Sequence, residues 1–94
     1  MILNFRSKAL EKLYKTGKSH GLPAQYVRKI TVVLQTLNAA REVPKDLKPF
    51  PGWKLHLLDK DLKGYWSISI YENWNIIFIF ENGNASKIDF IDYH

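Results

Sequence analysis

The sequence predicts an α+β domain: an N-terminal strand, an antiparallel helical hairpin, then a mainly antiparallel four-strand sheet segment. Two observations in its second half carry the sheet. Tyr65 to Tyr71 alternates polar and apolar side chains with the period of a half-buried strand, and Trp74 to Phe80 follows after only Glu72 and Asn73. Strands so close in sequence pair only as an antiparallel hairpin. Asn82-Gly83 then marks a second tight turn, into a run from Ser86 to Asp92. The third observation lies upstream, where apolar residues recur at helical spacing in two stretches joined by a short turn.

Ile2-Leu3-Asn4-Phe5 reads as the first strand. Ser7 is an N-cap for a helix from Lys8 to about Thr16, ended by Gly17, with Leu10, Leu13 and Tyr14 on one face. Lys8, Lys12, Lys15 and Lys18 make its outside positive, and Glu11 pairs with Lys15 at i, i+4. After the turn Ser19 to Leu22, Pro23 suits the first turn of a second helix reaching about Ala40. Its buried stripe is Val27, Ile30, Leu34 and Leu37, widened by Tyr26 and Val33. Arg41 to Gly52 is a loop, Trp53 to Leu58 reads as a strand, and Asp59 to Gly64 is a charged turn. On each sheet strand one face is apolar: Trp66, Ile68 and Ile70 on the first, Trp74, Ile76, Phe78 and Phe80 on the second.

Ninety-four residues at 46% apolar content make one domain, 1–94, able to build a core without staples. The absence of cysteine removes disulfides and thiolate metal sites. No signal peptide is visible and no apolar run approaches the roughly 18–20 residues that span a bilayer, so a soluble, cytoplasmic protein is expected. The net charge of +5 is unevenly spread: residues 1–63 carry thirteen Lys/Arg against five Asp/Glu, whereas residues 64–94 carry one against four. A polyanionic partner, RNA or DNA, explains this as well as a pair of solvated helix faces does.

Of three histidines, His20 lies in the turn between the helices and reads as surface. Alternation sets His56 on the face opposite Leu55 and Leu57, and His94 follows Asp92 and Tyr93 at the end of the chain. Neighbouring anions there favour the imidazolium, the form of a general acid. His56, Asp92 and His94 lack the spacing of a metal site, no serine sits at a nucleophile turn, and no Gly-rich phosphate loop is present. Metal-free RNA cleavage asks for less: a base for the 2′-hydroxyl, cations for the crowded phosphate and an acid for the leaving 5′-oxygen. His56, Asp92, Tyr93 and His94 offer acid and base groups, while Lys60 and Lys63 offer charge.

Several of these residues recur together in one known pattern. The opening Ile2-Leu3-Asn4-Phe5, Gly21-Leu22-Pro23-Ala24-Gln25, Lys54-Leu55-His56 and Lys63-Gly64-Tyr65-Trp66-Ser67-Ile68 belong to it, as do Asn73-Trp74, Phe78, Phe80 and the closing Asp92-Tyr93-His94. Over nearly its whole length the chain resembles the HigB branch of the RelE/ParE superfamily, the toxins of bacterial type II toxin–antitoxin pairs. The resemblance implies a RelE/ParE-like microbial RNase fold and translation inhibition by ribosome-dependent, metal- and cofactor-free mRNA cleavage. It implies a helix-turn-helix, HigA-like antitoxin, with the ribosome and mRNA as further partners. By position it assigns His56, Asp92, Tyr93 and His94 to the catalytic set, and Lys54, Lys60, Lys63, Asn73 and Asn75 to RNA contact.

Two departures stand out. Relatives commonly carry a lysine where this chain has Asp59, followed here by Lys60, and an arginine after Asn-Trp where it has Asn75. Arginine grips phosphate bidentately and a neutral amide cannot. The loss leaves open a catalytically weak or inactive homologue that serves as an antitoxin-binding or regulatory module. A ParE-type gyrase inhibitor is the remaining alternative, against which the Asp-Tyr-His ending speaks.

Overall fold

The computed structural model describes residues 1–93, so the predicted role of His94 lies outside the described residues. Two helices, α1 (Lys8–Thr16) and α2 (Val27–Ala39), precede four strands: β1 (His56–Leu57), β2 (Trp66–Tyr71), β3 (Trp74–Glu81) and β4 (Asn84–Asp92). The strands form one antiparallel sheet in the order β1-β2-β3-β4.

The first helix forms as its ends dictate. Ser7 Oγ accepts from the Leu10 amide at 3.1 Å, and Gly17, at φ 79, donates its amide back to the Leu13 carbonyl. The α2 stripe of Ile30, Val33, Leu34 and Leu37 is fully buried together with Leu10 and Leu13 of α1. Before α2, residues Ala24–Tyr26 form a 3-10 turn rather than the first turn of the helix. Asp46 caps the exit from α2: its carboxylate accepts from the amides of Arg41 and Glu42 at 2.8 and 2.9 Å. Those bonds, the Arg41 one first, hold its pKa below the usual carboxylate value.

Two expected strands are shorter than the pattern suggests. Of Trp53 to Leu58 only His56–Leu57 pairs with the sheet. Pro51 starts a 3-10 turn through Trp53, and Lys54 then takes a left-handed φ of 49, so the backbone is extended only beyond it. Trp53 thereby plugs the core, stacked on Phe50 at 4.1 Å. At the N-terminus, Ile2 and Phe5 make isolated parallel bridges to Ala85 and Ile88, interrupted where Lys87 bulges at φ 52. Asn4 spans the interruption, its side-chain carbonyl accepting from the Lys87 amide.

Cross-strand partners share a face, so the register sorts the sheet. Trp66 opposes Phe78 and Ile68 opposes Ile76, which in turn opposes Phe90; this face packs on the helices. The other face carries the row His56, Ser67, Ile77 and Asp89, and the neighbouring row Ser69, Asn75 and Ile91. It is not open throughout: Ser67 and Ile77 are 0% and 1% exposed, and Leu58 is buried as well, although Ile77 and Leu58 stand outside the main core cluster. The Ser67 hydroxyl has no hydrogen-bond partner among the described residues.

The two buried faces give opposite expectations for unfolding in urea. Phe78→Ala removes the largest fully buried side chain and costs about 3–5 kcal/mol. Ser67→Ala relieves a buried unpaired hydroxyl, a burden of about 1–3 kcal/mol, and leaves stability equal or higher. Asp46 predicts an acid limb. A carboxylate with a depressed folded pKa stabilises above its unfolded pKa, and that contribution is lost as pH falls through the folded value. Asp46→Asn is therefore less stable than the parent near neutrality, and the gap closes as the pH falls below about 4.

Candidate functional site

The face turned away from the helices gathers ionisable and polar side chains. His56 enters it from β1, directly across from Ser67. Its ring is oriented from behind: Nδ1 lies 2.9 Å from the Lys54 carbonyl oxygen. A carbonyl only accepts, so Nδ1 is the donor in that bond, and Nε2 is the nitrogen left to carry the lone pair when the ring has a single proton. The left-handed turn at Lys54 is what aims this carbonyl at a residue two places on.

Tyr65 continues the same face. The Leu58 amide donates to the Tyr65 carbonyl at 2.8 Å, extending the β1–β2 ladder by one rung, and Tyr65 stands two residues before Ser67. Its hydroxyl accepts from Arg6 Nη1 at 3.3 Å. Arg6 follows Phe5, which packs against the core, and its amide donates to the Ile88 carbonyl, so it starts beyond β4. From there its side chain reaches across the sheet to the start of β2. The bond and charge interaction with Tyr65, followed by the charge of Asp89, hold the guanidinium protonated beyond its already high pKa.

The other predicted residues form a second group. The Asn73 carbonyl accepts both the Tyr93 amide at 2.7 Å and the Asn75 side-chain amide at 2.9 Å, tying the β2–β3 turn to the end of β4. Asp92 opposes Trp74 at that end of the sheet, and Tyr93 is 40% exposed. Asn75 itself is 8% exposed. Lys60 and Lys63 are exposed on the turn after β1, where Lys60 adopts φ 55. Lys54 is exposed at the entry to β1.

The register thus brings Asp92, Tyr93, Asn73 and Asn75 to one end of the sheet, with Asp92 on the face of its partner Trp74 and Asn75 on the opposite face, and sets Lys54 with His56 in another place. His56 and Asp92 belong to the two outer strands, three spacings of about 4.8 Å apart. The row of His56 meets β4 at Asp89, three residues short of Asp92. Arg6, Tyr65 and Ser67 were missing from the sequence-based set. The alternation of β2 places Tyr65 with Ser67, and an inward Phe5 turns Arg6 outward; the pairing that brings Arg6 across the sheet carries no local signal. Among the described residues no group of three His, Cys, Asp or Glu side chains could hold a metal ion. No helix among them is long and apolar enough to cross a membrane.

Comparison with known proteins agrees with this arrangement of elements. Among solved structures, the fold matches the YoeB–YefM complex from Staphylococcus aureus, with a TM-score of 0.56 at 21% identity over 100% of this chain and 95% of that one. It also matches YafQ from E. coli strain BL21(DE3), with a TM-score of 0.51 at 17% identity over 94% and 89% of the two chains. At such identities the likeness concerns the fold. In sequence, the chain is 40% identical to the Endoribonuclease HigB of Proteus vulgaris over 94 residues, all of both proteins. It is 33% identical to Toxin HigB-1 of Vibrio cholerae over 95 residues, covering 100% of this chain and 98% of that protein. The model of the HigB-like toxins, described as the RelE-like toxin of the type II toxin–antitoxin system HigB, matches residues 3–94. The chain belongs to the HigB-like family of RelE-like type II toxins.

Proposed function

We propose that this protein is an endoribonuclease toxin that arrests translation by cutting mRNA on the ribosome. The observation that carries the reading is the full-length, 40% identity to a protein named Endoribonuclease HigB. Membership of a type II toxin family implies an antitoxin; a helix-turn-helix, HigA-like protein is the partner proposed here.

The chemistry follows from the groups present. His56, donating from Nδ1 to the Lys54 carbonyl, takes the 2′-hydroxyl proton at Nε2. The 2′-oxygen bonds to phosphorus, the bond from phosphorus to the 5′-oxygen breaks, and that oxygen leaves with a proton from the set Asp92, Tyr93 and His94. The products are a 2′,3′-cyclic phosphate and a 5′-hydroxyl. Lys54, Lys60 and Lys63 line the approach as cations, and the exposed ring of Tyr93 offers a base a stacking surface. Asn73 and Asn75 brace the turn beneath Tyr93 through the shared Asn73 carbonyl.

Cleavage of mRNA on purified, programmed ribosomes tests the reading. His56→Ala and Tyr93→Phe are expected to cut about 10²–10⁴-fold more slowly than the parent, with antitoxin binding retained. Parent-like cleavage by both variants sinks the site assignment. A parent protein that binds antitoxin tightly yet leaves mRNA whole is the regulatory module that Asn75 invites, and DNA-damage signalling with intact mRNA is the gyrase inhibitor.

A further inference from the structure

We infer that Arg6 supplies the arginine this site otherwise lacks: a guanidinium, fixed by the Tyr65 hydroxyl on the His56 face of the sheet, that grips the scissile phosphate of the RNA. The inference rests on the cleavage reading above and adds to it a phosphate-binding residue from the opposite end of the chain.

Four observations support it. Arg6 reaches the correct face, because its partner Tyr65 shares the side of β2 that carries Ser67, the residue across from His56. Its fork is available: the 3.3 Å bond to Tyr65 uses one of five N–H groups, and among the described residues no carboxylate lies within 4.0 Å of it. Asp89, whose charge it senses on the same face, instead accepts the Phe90 amide at 2.9 Å. Finally, the chain's other arginines are elsewhere, Arg28 on α2 and Arg41 just after it, and the candidate phosphate ligand Asn75 is buried with its amide on the Asn73 carbonyl.

The transition state of the displacement concentrates negative charge on the non-bridging phosphate oxygens. A planar guanidinium pre-set by a hydroxyl donates to two of them at once and loses little freedom in doing so. Tyr65 is a positioning residue in this scheme, since it acts through Arg6.

Single-turnover cleavage on programmed ribosomes, followed against toxin concentration, separates the maximal rate from half-saturation. Arg6→Ala is expected to lower the maximal rate by about 10²–10³-fold with half-saturation little changed and thermal melting unaltered, because the residue is exposed. Arg6→Lys recovers part of the rate, keeping the charge without the fork. Tyr65→Phe gives a smaller loss, again in the maximal rate. Lys45→Ala deletes the same charge on the loop after α2, and parent-like kinetics for it are expected. A full maximal rate in Arg6→Ala beside an inactive His56→Ala overturns the inference and leaves the cleavage reading standing. Equal losses in Arg6→Ala and Lys45→Ala also overturn it, since a general charge effect then suffices. Full activity in His56→Ala and Arg6→Ala together overturns both.

Discussion

The pleat of β3 is the constraint on which the rest depends. It lies inside the sheet, hydrogen-bonded to β2 and β4, and its successive side chains must point to opposite faces. Ile76 and Phe78 go to the helices; Asn75 and Ile77 go to the other side. A slip of one residue exchanges the two sets and puts a buried amide into the core. The hairpin turns hold this register: Glu72 sits at φ 46 in the first, and Asn82 and Gly83 sit at 54 and 78 in the second. Everything placed on the outer face, from His56 to Asp89, takes its position from that choice.

Local sequence therefore made most of the architecture legible. Ser7 and Gly17 bound α1 where the capping pattern puts them, and the alternation of β2 and β3 matches their core-facing residues apart from Trp74, which packs on Phe90 at the sheet's end. Local pattern failed where the backbone leaves the regular regions. Trp53 and Leu55 look like strand residues, but Pro51 and the left-handed Lys54 make a turn of that stretch. Nor does any alternation announce the bulge at Lys87 that breaks the N-terminal strand into two bridges.

The site was readable by type rather than by place. His56, Asp92 and Tyr93 declare acid–base capacity in any sequence, and His56 does face away from the core. Which groups surround it depends on pairing between residues far apart in the chain, as in the reach of Arg6 to Tyr65 across 59 positions. Asn75 shows the converse. Its identity suggests a polar surface contact, yet β3 carries it to an 8% exposed position where its amide serves the backbone. A polar residue on a central strand is first a question of where the pleat sends it.

The segment that carries Arg6 has a consequence for when the protein acquires this face. Residues 1–6 are held by bonds to Gly83 in the second hairpin turn and to Ala85, Lys87 and Ile88 on β4, with Ile2 also bonded to Asn38 of α2. A chain without β4 keeps Tyr65 and Asn38 as partners but loses the backbone bonds that fix the course of residues 1–6. The outer face is complete only with β4 in place.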